Sequence, residues 1–208
     1  MLKSKNLMQI YKIGILFLAI LSLSSCYLPV SFDTEIEISK HGLYNISFDG
    51  YIVDLNIYRG LSDKKLKEDT DEMKVKTDAT IADFRRDKST KSVLYYKQGA
   101  FKVKWVKSGD IIKTSQVIFL RRNENIFSIT HDKKKEIITL KGKYFKNKDI
   151  ERFERIGLTF RGVVRIKTKA KVITHNAQKV WNEGSSKFYG WRLRSMHDKP
   201  PLLIMSLG

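Results

Sequence analysis

Residues 32–38, Phe-Asp-Thr-Glu-Ile-Glu-Ile, alternate at every step. Phe32, Thr34, Ile36 and Ile38 share one parity, and Asp33, Glu35 and Glu37 the other. Successive side chains of a β-strand point to opposite faces, so this parity makes one apolar face and one acidic face. A helix would spread the same residues around its axis and mix carboxylates with isoleucines. The stretch is therefore a half-buried strand. Residues 51–58 alternate in the same way, with Tyr51, Val53, Leu55 and Ile57 on one face. So do residues 101–105, where Lys102 and Lys104 take the wet face and Phe101, Val103 and Trp105 the inner one. A chain patterned like this builds sheets with one side turned to water.

The rest of the chain fills in around those strands. Lys40-His41-Gly42 reads as a turn into a strand at 43–48, and Asp49-Gly50 as a bulge or tight turn. Residues 91–106 are strand-like with a weak point at Gln98-Gly99, and further strands are expected at 111–120, 126–130, 136–140, 158–166, 171–174, 188–193 and 202–205. Residues 62–87 differ. Ser62 or Asp63 can cap a helix, and Leu66, Met73, Ile81 and Phe84 fall near one helical face that Thr70 and Thr77 interrupt. A short helix is predicted over 147–155, ended by Gly157. Pro200-Pro201 cannot donate ladder bonds and marks a strand start or a sheet edge. The fold class expected is α+β: a mostly antiparallel β-sheet with one long or two shorter central helices packed on it.

The N-terminus has another character. Lys3, Lys5 and Lys12 precede an apolar run at 13–23, and no acid lies within residues 1–25. A basic start followed by an apolar run is an export signal, and this run is shorter than the roughly 20 residues a spanning helix needs. It ends in Leu23-Ser24-Ser25-Cys26. These residues resemble the lipobox of bacterial lipoprotein signals, with Leu23 at the third position before the cut. The resemblance implies cleavage between Ser25 and Cys26, a diacylglyceryl group on the Cys26 thiol and acylation of the freed amine, as by palmitate. Two or three such chains hold a protein to a bilayer durably, where one does so only marginally at about 0.8 kcal/mol per buried methylene. Tyr27 rather than Asp follows the cysteine, which by the same resemblance implies the outer membrane in a cell that has one. The competing reading is an uncleaved anchor with an incidental cysteine. The expected organisation is a signal peptide at 1–25, a lipidated tether at 26–31 carrying Pro29, and a single envelope domain at 32–208.

Cleavage there leaves 183 of the 208 residues, enough for one domain with a real core. Cys26 is the only cysteine, so an intramolecular disulfide is excluded. The whole chain carries a net +18, and the signal holds three of the 40 basic residues and none of the acids, which puts the mature part near +15. For an exported chain the polyanions within reach are phospholipid headgroups, lipopolysaccharide phosphates and wall polymers rather than nucleic acid. Each Lys or Arg close to an anionic bilayer contributes about 1 kcal/mol. The plainer alternative is a lysine-rich composition scattered for solubility, since the lysines are spread rather than blocked. The candidate contacts with an anionic surface are Lys102, Lys104, Arg121, Arg122, Lys133, Lys134 and Lys135.

A second resemblance covers about the last forty residues. Val172-Ile173-Thr174-His175-Asn176-Ala177, then Trp191-Arg192-Leu193, then Pro200-Pro201-Leu202-Leu203-Ile204 resemble the C-terminal half of the LppM-type lipoprotein domain. That resemblance implies an envelope lipoprotein with a mixed sheet-and-helix domain. It carries over no catalytic residue, and the charged segment at 62–87 departs from it.

Reactive groups are sparse. His41, His131, His175 and His197 sit in turn-like surroundings without metal-ligand spacing, and no Gly-x-Ser-x-Gly or glycine-rich phosphate cradle occurs. No catalytic residue, metal or cofactor is assigned. Tyr95-Tyr96-Lys97, residues 101–105 and residues 188–192 interleave aromatics with bases, a pattern that can stack on sugars or bases. The plainer reading is an aromatic core with lysines outside. The function expected is a membrane-anchored, non-catalytic bacterial envelope lipoprotein whose basic domain binds an anionic surface or a protein partner. The alternatives are an enzyme acting on cell-wall or lipid polymers, and a polyanion or nucleic-acid binder.

Overall fold

The computed structural model describes residues 27–121 and 124–207. Leu23, Ser24, Ser25 and Cys26 lie outside the described residues. The first alternating strand begins earlier than its period-two signal: β1 is Tyr27–Ile38, paired antiparallel with β2, Leu43–Asp54. The tether expected at 26–31 is thus corrected, because residues 27–31 belong to this strand. The reason is apolar. Leu28 is buried opposite Val53, and Tyr27 packs its ring 4.7 Å from that of Phe84 while its hydroxyl donates to Asp83 Oδ2 at 2.9 Å.

Asp49-Gly50 is neither bulge nor turn. Gly50 lies inside β2 opposite Phe32, and Gly162 faces Phe32 from the other neighbouring strand. A Cβ at Gly50 would stand 2.6 Å from Phe32 Cβ, and one at Gly162 2.3 Å from the Phe32 ring. Two glycines therefore make room for one aromatic ring.

β2 stops at Asp54, whose carboxylate accepts the N–H groups of Asn56 and Ile57 and caps α1, Leu55–Ser62. The alternation read across 51–58 breaks at that cap, and Leu55 and Ile57 are buried from a helix instead. Thr70 caps α2, Asp71–Arg85, by accepting from Met73 N–H at 3.2 Å. Residues 62–87 thus supply one helix, and it is short. α2 is not central: it buries Met73, Thr77, Thr80 and Phe84 and lies beside the edge strand β3, Thr90–Lys97. Gln98 and Gly99 then take positive φ, 52° and 72°, as a two-residue hairpin loop requires.

β4 (Ala100–Asp110) leads through the single turn α3 (Ile111–Thr114) to β5 (Gln116–Arg121), β6 (Glu124–Asp132) and β7 (Ile137–Gly142). α4 (Asn147–Arg155) precedes β8 (Arg161–Thr168), β9 (Lys171–His175), β10 (Lys179–Glu183), β11 (Ser186–Leu193) and β12 (Leu202–Ser206). β10 has no counterpart in the sequence reading. The strands form two sheets: a seven-stranded one ordered β10-β11-β8-β1-β2-β4-β3, and a five-stranded one ordered β5-β6-β7-β12-β9. β1 and β8 pair in parallel, and the other pairs described are antiparallel. The architecture is α+β, with mostly antiparallel sheets and short helices.

The core lies between the sheets. Phe48 and Trp105 of the larger sheet bring their rings 4.8 and 4.7 Å from Phe119 of the smaller, and Phe32 lies 6.1 Å from Phe127. Such aromatic pairs contribute about 0.5–1.5 kcal/mol each beyond their burial. Near the C-terminus Asn176 ties three separate stretches together. Its Oδ1 accepts from the Trp191 indole and from Leu202 N–H, both at 2.8 Å, and its Nδ2 donates to Pro200 C=O at 2.9 Å. Pro200 and Pro201 stand just before β12, a central strand, so they mark a strand start and not an edge. Among the described residues, no helix is long and apolar enough to cross a membrane.

Candidate anion-binding surface

Strand parity decides which side chains reach the outer face of the seven-stranded sheet. β1 sends Asp33, Glu35 and Glu37 there, because Phe32, Thr34, Ile36 and Ile38 are held in the core. Asp49 of β2 stands opposite Asp33, and Lys104 of β4 opposite Asp49. On the other side β8 sets Arg165 opposite Glu35 and Lys167 opposite Glu37. A carboxylate stripe thus runs between two columns of cations. Neighbouring strands lie close enough for these side chains to pair. Arg165 Nη2 donates to Asp33 Oδ1 at 2.6 Å, Lys167 Nζ lies 3.0 Å from Glu37, and Lys102 and Lys104 both engage Asp49, Lys104 at 3.6 Å. The hydrogen bond from Lys102 holds the Asp49 carboxyl below its ordinary value.

Over this stripe lies an open depression of about 700 Å³, bordered by Asp33, Asp49, Tyr51, Lys102, Lys104 and Arg165. Those cations already have carboxylate partners. A second depression, of about 480 Å³, adjoins it through Ser31 and Phe32. Arg161, Arg192 and Arg194 line it, and no carboxylate does. All three arginines are exposed, and among the described residues none makes an ion pair.

The cations picked out in the sequence do not assemble into one patch. Lys102 and Lys104 are on the outer face of β4 as expected, but paired. Lys133, Lys134 and Lys135 are exposed in the β6–β7 turn, at the smaller sheet, where Asp132 Oδ1 accepts the N–H groups of Lys134 and Lys135. The side chain of Arg121 and the whole of Arg122 lie outside the described residues. The arginines that do converge were missed because they come from two strands distant in sequence. The one local signal is Arg192-Leu193-Arg194, in which two arginines flank a core leucine at the wet parity.

Most of the basic–aromatic runs pack as core. Phe101, Val103, Trp105, Tyr189 and Trp191 are buried, whereas Tyr96 is 56% exposed. Phe188 is buried on the outer side, with its ring stacked 5.2 Å from that of Trp181. His175 is a turn former: its Nδ1 accepts from Ala177 N–H at 3.1 Å. His197 pairs with Glu154 at 3.2 Å and not with Asp198, which accepts instead the N–H groups of Arg194 and Ser195. His131 shares the inner face with Phe127 and Ile129, and neither ring nitrogen has a hydrogen-bond partner among the described residues. Among the described residues, no three His, Cys, Asp or Glu side chains gather as a metal site would require.

No protein family profile matches the sequence, and no curated protein matches it. Among solved structures, the NMR structure of the folded domain of LppM from Mycobacterium tuberculosis is similar. It is 12% identical, with 89% of this chain and 94% of that chain covered, at a TM-score of 0.47. That degree of likeness says nothing about what either chain binds.

Proposed function

We propose that this chain is a bacterial envelope lipoprotein, cut before Cys26 and held to a membrane by lipid on that residue, whose basic domain binds an anionic surface without catalysis. The observation that carries the reading is the position of Tyr27. It is buried in β1 one residue after Cys26, so no free spacer separates an anchored domain from the headgroups. A mature charge near +15 then favours close apposition to anionic lipid, at about 1 kcal/mol per nearby cation. The outer membrane is the expected destination in a cell with two membranes.

The test is to express the chain and its Cys26→Ser variant in a bacterial host with a palmitate analogue, then fractionate the envelope. Label on the membrane-bound wild type and none on Cys26→Ser is the expected result. Equal behaviour of the two would remove the anchor and with it the reading.

A further inference from the structure

We propose that Arg161, Arg192 and Arg194 form a binding site for a phosphate group. The proposal deepens the anionic-surface reading and rests on it only for the source of the phosphate. The fold puts the three together. Arg161 opens β8 opposite Ser31, and Arg192 lies on β11 opposite Val163. The same register pairs Leu193 with Gly162, and Arg194, the residue that follows β11, lines the same depression as Arg161 and Arg192. Both neighbours of Leu193 take the wet parity because Leu193 itself is buried.

Electrostatics marks this depression off from the rest of the outer face. Arg165, Lys167, Lys102 and Lys104 each have a carboxylate. Among the described residues the three arginines have none, and the nearest acid along the chain, Asp198, is occupied by the backbone N–H groups of Arg194 and Ser195. Like charges on neighbouring strands repel, and an anion placed among them turns that cost into attraction.

Composition narrows the class of anion. The chain holds 29 lysines and 11 arginines, yet every cation in this depression is an arginine. A guanidinium presents a planar fork of donors that fits a phosphate two bonds at a time, which an ammonium cannot do. The depression is also close to the anchor. Arg161 pairs with Ser31, four residues along β1 from Tyr27, or roughly 13 Å at strand spacing. A phospholipid headgroup would therefore be within reach of a chain anchored at Cys26, and a free phosphate ester offers the same chemistry.

The experiment follows the arginine side-chain Nε–H resonances by NMR, using the full chain in neutral detergent micelles. It is titrated first with inorganic phosphate and then with phosphatidylglycerol mixed into the micelles. Resonances of Arg161, Arg192 and Arg194 should shift together and saturate. The variant Arg161→Gln/Arg192→Gln/Arg194→Gln should lose affinity about tenfold or more, as for a charged cluster acting through paired bonds. Lys133→Gln/Lys134→Gln/Lys135→Gln should keep it within about twofold, since it removes the same charge elsewhere. All six positions are exposed, and an unchanged urea midpoint confirms that each variant folds. Saturation at lower phosphatidylglycerol than inorganic phosphate identifies a headgroup, and the reverse order identifies a free phosphate. Equal loss in the two triple variants, or no joint shift, overturns the site. If the arginine variant still floats with anionic vesicles as the wild type does, the site fails while the surface reading stands. If the wild type binds phosphate but not anionic vesicles, the surface reading fails while the site stands.

Discussion

On β1, Phe32, Ile36 and Ile38 face the five-stranded sheet, and Asp33, Glu35 and Glu37 face water. The two sides of the seven-stranded sheet are built from the same strands and separated only by parity. The inner side is crowded enough that Gly50 and Gly162 are needed around one phenylalanine. The outer side is a set of charge ladders whose side chains are partly solvated. Stability should therefore be decided on the inner side and recognition on the outer. Within the outer side a second contrast appears. Lys102 and Lys104 share Asp49, whereas Arg161, Arg192 and Arg194 have no carboxylate partner among the described residues. Charge alone does not locate a site here. Charge without a partner does.

Four experiments would break or sharpen this comparison. Phe32→Ala should cost about 3–5 kcal/mol in urea unfolding, because it removes a ring that touches Phe48, Phe127 and Phe160 and leaves a cavity. A loss near zero would mean the inner side is loosely packed. Gly162→Val should cost about 1–3 kcal/mol by forcing Phe32 off its position, and a neutral outcome would contradict the close approach. Asp87 tests the rim of the core. Burial pushes its carboxyl up, but hydrogen bonds from the Trp105 indole and the Ser89 N–H outweigh that and hold it below the ordinary value of 3.8. Its contribution to stability is therefore complete above about pH 4 and falls away as the pH drops further. Asp87→Asn should flatten that acid limb in pH-dependent unfolding, and an unchanged limb would assign it to other carboxylates. The smallest effect should come from Arg165→Ala, about 0–1 kcal/mol, since its pair with Asp33 is partly solvated. A larger loss would show that the outer ladders carry stability after all.

How much of this was legible in the sequence depends on the range of the interaction. Period-two alternation located β1 and β4 and assigned Phe101, Val103 and Trp105 inward and Lys102 and Lys104 outward, while strand-prone composition marked β8 and β11. The weak point at Gln98-Gly99 is the hairpin loop between β3 and β4, and the short helix at 147–155 fell where its bounds were expected. The errors have local causes that parity does not record. The alternation of residues 51–58 hid the capping carboxylate of Asp54, and the tether was inferred from Pro29 although Tyr27 and Leu28 had apolar partners elsewhere. β10 was missed because its exposed Lys-Val-Trp-Asn-Glu has no inward face to betray it.

What the sequence by itself determined is the local pattern: where most of the strands run, which parity of β1 and β4 is wet, and that the chain is basic. Each of these depends on neighbours within a few positions of the chain. What only the tertiary structure decided is which strands lie side by side. The parallel pairing of β1 with β8 joins residues about 130 apart. The pairing of β8 with β11 brings Arg161, Arg192 and Arg194 to one depression, and the bonds of Asn176 join three motifs that the sequence shows only in succession. Pairing between sheets and strands is set by the burial of complementary faces, which many registers satisfy locally and one satisfies for the whole core.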